Sequence, residues 1–179
     1  MRTFISINAP QQIGDHLVAI QQTIAKNNSQ TNIKWVEPEN FHICLQFLGN
    51  LSELEINNLA DRLGHIIRFI PFKLRLTNID CFPNHFEPRV IVINAEEPTG
   101  KLFILQKQIR NFLLARKYQL DLKPFKPHLT LGRLKYQTSF LNLPKQIERL
   151  EFDVHLIDLM KSELTKYGPI YQSITQYGE

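Results

Sequence analysis

A chain of 179 residues with 43% hydrophobic and 21% charged side chains can bury roughly 70% of its unfolded surface, which excludes extensive disorder. Its longest apolar runs, such as Val90–Ile93, are far too short to span a membrane as a helix. A formal charge of +4 suits an anionic partner without selecting one.

Alternation predicts a strand over Thr3–Ile7, stopped by Asn8 and Pro10. No apolar leader follows Arg2, so a cytoplasmic protein with no membrane association is expected. Ile13, Leu17, Ile20 and Ile24 recur at helical spacing between Pro10 and about Ala25. Short strands are expected over Ile33–Val36 and His42–Phe47. A helix should start at Ser52-Glu53 and run to about Phe69. Strands over Phe72–Leu76 and Arg89–Asn94 flank a turn at Pro83-Asn84-His85, and a helix follows from Thr99 to about Lys117. His128–Leu134, one long stretch over Glu151–Ser162, and Tyr171–Thr175 read as the remaining strands.

No low-complexity linker interrupts the chain, so residues 1–179 read as a single domain. Its halves share an order, a helix and a His-x-small-x strand in each. The expected class is α+β: a pseudo-duplicated, two-lobed fold of largely antiparallel strands with flanking helices and a central cleft.

The repeated strand carries the chemistry. His42 and Cys44 share one face of an extended segment, as do His128 and Thr130. Two such strands side by side aim two imidazoles at one point, an acid and a base across a phosphorus centre. The other histidines, His16, His65, His85 and His155, have no repeated context. Of two cysteines, Cys81 reads as a small buried hydrophobe, and no C-x-x-C spacing or H-E-x-x-H motif suggests a metal. No cofactor is called for.

Met1–Ile7, Lys34–His42, Phe47–Gly49, Phe82–Asn84, Pro88–Val90 and Phe125–Arg133 together resemble the 2H phosphoesterase superfamily, defined by two His-x-(Thr/Ser)-x motifs. Within it the chain is most similar to the RNA 2′,3′-cyclic phosphodiesterases, historically named 2′-5′ RNA ligases. The resemblance implies an enzyme that opens 2′,3′-cyclic phosphate ends of RNA, tRNA fragments included, or cyclic nucleotides, without a metal. It implies His42 as proton donor to the leaving 3′-oxygen and His128 as proton acceptor from water; the residues alone leave either assignment open.

Cys44 departs from the pattern, since a thiol donates a weaker hydrogen bond to phosphate than a hydroxyl. Arg133 lies an odd offset from His128, which puts it on the opposite face unless a bulge intervenes. The resemblance nevertheless places it by the phosphate, beside Thr130. Lys117, Lys123, Lys126, Arg133 and Lys135 form a basic stretch suited to an RNA backbone. Phe125 is a candidate stacking surface for a base, whereas Trp35 reads as core. The competing readings are a non-catalytic module on the same fold that grips RNA ends, weakened by Cys44, and a metal hydrolase. A monomer is the default state.

Overall fold

The computed structural model describes residues 1–121, 123–136, 140–165 and 168–178, with the backbone alone at 164 and 168. The first lobe draws on β1 (Arg2–Asn8) and β3 (His42–Asn50). The helix predicted from Pro10 is α1 (Gln11–Asn27), and the short strand after it is β2 (Ile33–Trp35). A single 3-10 turn at Pro38–Asn40 delivers the chain into β3. Next come α2 (Glu53–Ile66), β4 (Phe72–Phe82), β5 (Val90–Glu96) and α3 (Lys101–Ala115). The chain continues through β6 (His128–Leu134), β7 (Leu150–Val154), β8 (Leu156–Thr165) and β9 (Gly168–Gly178).

Two elements start where their capping chemistry dictates. Ser52 and Glu55 form a reciprocal capping box at α2, with the Ser52 amide donating to Glu55 Oε2 at 2.8 Å. Gly100 sits at φ +83° before α3, a left-handed conformation that a side chain would strain.

The strands form one curled antiparallel sheet in the order β7-β4-β5-β6-β3-β1-β8-β9, with β2 paired to the far end of β6. The order is symmetric about the β3–β6 seam: β6, β5, β4 and β7 mirror β3, β1, β8 and β9. The expected two-lobed, pseudo-duplicated α+β fold is what the chain adopts.

The stretch Glu151–Ser162 is not one strand but two. β7 pairs with β4 at one edge, and β8 pairs with β1 in the other lobe, so the chain must cross between lobes at His155. Buried Phe152 and Val154 are followed by buried Ile157 and Leu159. The step of three between Val154 and Ile157 breaks the period of two and marks the crossing. β4 outruns its predicted end at Leu76 because its first half pairs with β7 and its second with β5, with a register shift between Leu76 and Ile79. The last strand is likewise longer than Tyr171–Thr175, since β8 pairs with it along its length.

All three helices bury apolar stripes against one face of the sheet. Leu17 and Ile24 of α1, Leu59 and Leu63 of α2, and Leu102 and Ile109 of α3 join Ile43, Leu45, Leu129 and Leu131 in one core. Each buried side chain of this size contributes roughly 1.5–3 kcal/mol. The opposite, concave face is left open for chemistry.

Both motif strands bulge one residue past the small side chain. On β6, Thr130 faces Val92 and Gly132 faces Ile91, which leaves Leu131 as the extra residue. On β3, Cys44 faces Ser6 and Gln46 faces Ile5, which leaves Leu45 extra. Buried glutamines satisfy the two bulge carbonyls: Gln21 of α1 donates to Leu131 O at 2.9 Å, and Gln106 of α3 donates to Leu45 O at 3.5 Å. Gln21 also donates to Val36 O at 2.8 Å. Gly132 is required here, because a Cβ would fall 2.8 Å from Ile33 and 2.9 Å from the Trp35 ring.

Candidate active site

The seam between lobes is made where Ile43 pairs with Leu129. Both are buried, so their neighbours His42, Cys44, His128 and Thr130 project from the concave face. Antiparallel order sets His42 on the Thr130 side and Cys44 on the His128 side. The four motif residues named from sequence are thus brought together.

The two imidazoles are held in the same way. His42 Nδ1 lies 2.7 Å from the Asn40 carbonyl, and His128 Nδ1 lies 2.7 Å from the Lys126 carbonyl. A carbonyl only accepts, so each Nδ1 carries the proton and each neutral ring keeps a bare Nε2. Aromatic rings fix the planes. Phe82 meets His128 edge-on at 4.8 Å, while Phe4 and Tyr171 flank His42 at 5.0 and 5.1 Å.

Burial holds the His42 ring below the ordinary histidine range, opposed by the bond to the Asn40 carbonyl and reinforced by the charges of His128 and Arg133. His128 is lowered for the same first reason, opposed by its own carbonyl bond and reinforced by Arg133. Both rings are therefore neutral bases in the free protein at neutral pH. Cys44 is a neutral thiol, its pKa pushed up to about 12 by burial.

Arg133 reaches the concave face because of the bulge at Leu131. That extra residue reverses the alternation, so Gly132 is buried and Arg133 exposed beside Val90 and Lys34. Its charge acts on both histidines and on Tyr171. Of the rest of the basic stretch, Lys126 adjoins the site through its carbonyl bond to His128. Lys117 lines a hollow of about 480 Å³ with Arg62, Arg116 and Tyr118 near the end of α3. Lys123 pairs with Asp121 at 3.0 Å, and Lys135 lies over Tyr136. Phe125 packs against the core and meets Phe103 of α3 at 5.5 Å, so its ring is engaged from the helix side. Trp35 packs on the core, as expected.

Two residues escaped the sequence reading. Tyr171 of β9 sits edge-on to His42, and its hydroxyl, raised by burial, also feels Arg133, Arg2 and Cys44. Arg2 of β1 extends over the Phe47 ring at 5.4 Å from its centroid. Neither has a local motif; their proximity follows from strand order. The lobes also match one strand further out: Asn8 faces His42 and Asn94 faces His128, while Asp158 and Asp80 lie across from Ser6 and Val92. Among the described residues, no three His, Cys, Asp or Glu side chains converge as metal ligands, so the histidine pair has no carboxylate partner at ligand range. No helix of the described residues is long and apolar enough to cross a membrane.

The doubled geometry matches a doubled family signature. The model of the LigT-like phosphoesterases fits twice in tandem, over residues 7–92 and 93–171. The chain belongs to the LigT-like phosphoesterase family. Curated relatives named RNA 2′,3′-cyclic phosphodiesterase include that of Aquifex aeolicus, 36% identical over 80% of each chain. The one from Archaeoglobus fulgidus is 32% identical over 97% of this chain and 98% of its own. A solved Thermus thermophilus structure superposes with a TM-score of 0.85 at 29% identity, covering 99% of this chain and 97% of the other. Escherichia coli LigT, solved with 3′-AMP, shares the fold at a TM-score of 0.83 and 22% identity, again over 99% and 97%. As a LigT-like phosphoesterase, the chain is a hydrolase of phosphate esters.

Proposed function

We infer that the protein hydrolyses 2′,3′-cyclic phosphate ends of RNA to a terminal 2′-phosphate, using His42 and His128 as its acid and base and no metal. The observation that carries this reading is the matched pair of imidazoles, each with Nδ1 given to a backbone carbonyl and Nε2 left for the cleft.

A cyclic phosphate is a strained diester, and water must attack phosphorus opposite the departing ribose oxygen. His128 Nε2 takes a proton from that water. His42, protonated in the complex, gives a proton to the 3′-oxygen as the P–O3′ bond breaks. The ring opens to a 3′-hydroxyl and a 2′-phosphate, and the proton count closes with His128 charged and His42 neutral. Arg133, Thr130 and the Cys44 thiol donate to the phosphate oxygens as negative charge builds. An arriving phosphate anion raises the pKa of His42, which the empty site holds low. The names of the relatives support RNA as the substrate.

The test is turnover of a cyclic-phosphate oligonucleotide by purified protein in EDTA. His42→Ala and His128→Ala should each lower kcat by about a hundred- to ten-thousandfold. Full activity in either variant overturns the two-histidine mechanism. Tight binding without product would instead identify a non-catalytic grip on RNA ends.

A further inference from the structure

Arg133 has a structural counterpart in the other lobe. The bulge at Leu45 repeats the bulge at Leu131, so the residue five after His42 reaches the concave face as Arg133 does five after His128. That residue is Phe47, 43% exposed despite its size, and it pairs with Phe4, whose own ring lies 5.0 Å from His42. Where one lobe offers a guanidinium, the other offers an aromatic face, and Arg2 supplies the cation from the neighbouring strand. Arg2, Phe4, Ser6 and Asn8 alternate onto the same side of β1, so Arg2 is aimed along the cleft floor.

We propose that Arg2 and Phe47 form a subsite for the nucleotide on the 5′ side of the cyclic end, with Arg2 on the linking phosphate and Phe47 under the adjacent base. This deepens the phosphodiesterase reading and rests on it. An RNA strand leaves the reacting ribose in one direction only, through its 5′ carbon. His42, Phe4 and Tyr171 form one cluster of rings, and beyond it Phe47, the strand partner of buried Phe4, lies under the Arg2 guanidinium. Aromatic faces and guanidinium groups are how single-stranded nucleic acid is held without sequence readout. Arg2 and Arg133 both act electrostatically on the Tyr171 hydroxyl, so two cations lie within reach of that phenol.

The test compares a dinucleotide ending in a 2′-phosphate with the matching mononucleotide 2′-phosphate, by competition binding to wild type, Arg2→Gln and Phe47→Leu. Arg2→Gln should weaken the dinucleotide about tenfold more than the mononucleotide and reduce the salt slope of dinucleotide binding by about one. Phe47→Leu should show the same selective loss with the salt slope retained. Equal losses for both ligands, or no loss for either, would overturn the subsite. Because binding of products is read, the result stands apart from turnover: absence of hydrolysis by wild type would count against the reaction and leave this comparison intact.

Discussion

Cys44 stands where the His-x-(Thr/Ser)-x pattern has a hydroxyl, and a single atom decides the effect. Replacing its neutral thiol with a hydroxyl adds a better donor to the phosphate, worth on the order of 1 kcal/mol, or about fivefold in rate. Cys44→Thr should therefore raise kcat/KM with little change in stability; a fall would show that the thiol is fitted to this site. Gly132 makes the opposite case. Its missing side chain leaves room for Ile33 and Trp35, so Gly132→Ala should destabilise by about 1–3 kcal/mol in urea unfolding. His42, His128, Cys44 and Thr130 were legible in the sequence because side-chain direction in a strand follows a period of two. That same period assigns Arg133 to the wrong face, and only the resemblance put it by the phosphate.

The element that corrects the period is the bulge, and its support lies far away in the chain. Gln21 contacts Leu131 from 110 residues earlier, a pairing that no local pattern could announce. Gln21→Leu leaves Val36 O without its side-chain donor and Leu131 O with the Val36 amide alone, and should lower stability by about 1–3 kcal/mol while raising KM as Arg133 loses its setting. Gln106→Leu removes one longer bond, so its effect should be smaller. Equal urea midpoints for the two variants would refute this account. Helices and most strands were readable from hydrophobic spacing. The break at His155 was misread, although the odd step from Val154 to Ile157 recorded it. Tyr171 and Arg2 stood in ordinary alternating strands, and only the order β3-β1-β8-β9 brings Tyr171 to His42 and Arg2 within reach of Tyr171.

At the scale of the whole molecule, the two lobes respond to pH together. Both histidines titrate lower when folded than when unfolded, so the unfolded chain binds more protons in the window below about pH 6.5. Stability should be constant above that window and fall as pH drops through it. His42→Gln and His128→Gln should each flatten the profile, and phosphate, by favouring charged rings, should oppose the loss. A wild-type melting temperature that rises on acidification from pH 7 to 5.5 would contradict this. The duplicated plan was visible from residue order. Its mirror-like sheet was not, because β4, encoded in the first half, completes the lobe of the second motif strand, while β8 and β9, from the second half, complete that of the first.

The glutamine bonds cross between the halves: α1, from the N-terminal repeat, steadies the strand of the second histidine, while α3 steadies that of the first. Neither repeat contains its own brace. A tandem duplication usually leaves two copies able to drift apart or be severed; here each has become the other's scaffold, and cutting the gene between them would yield two pieces that regain order only in each other's company.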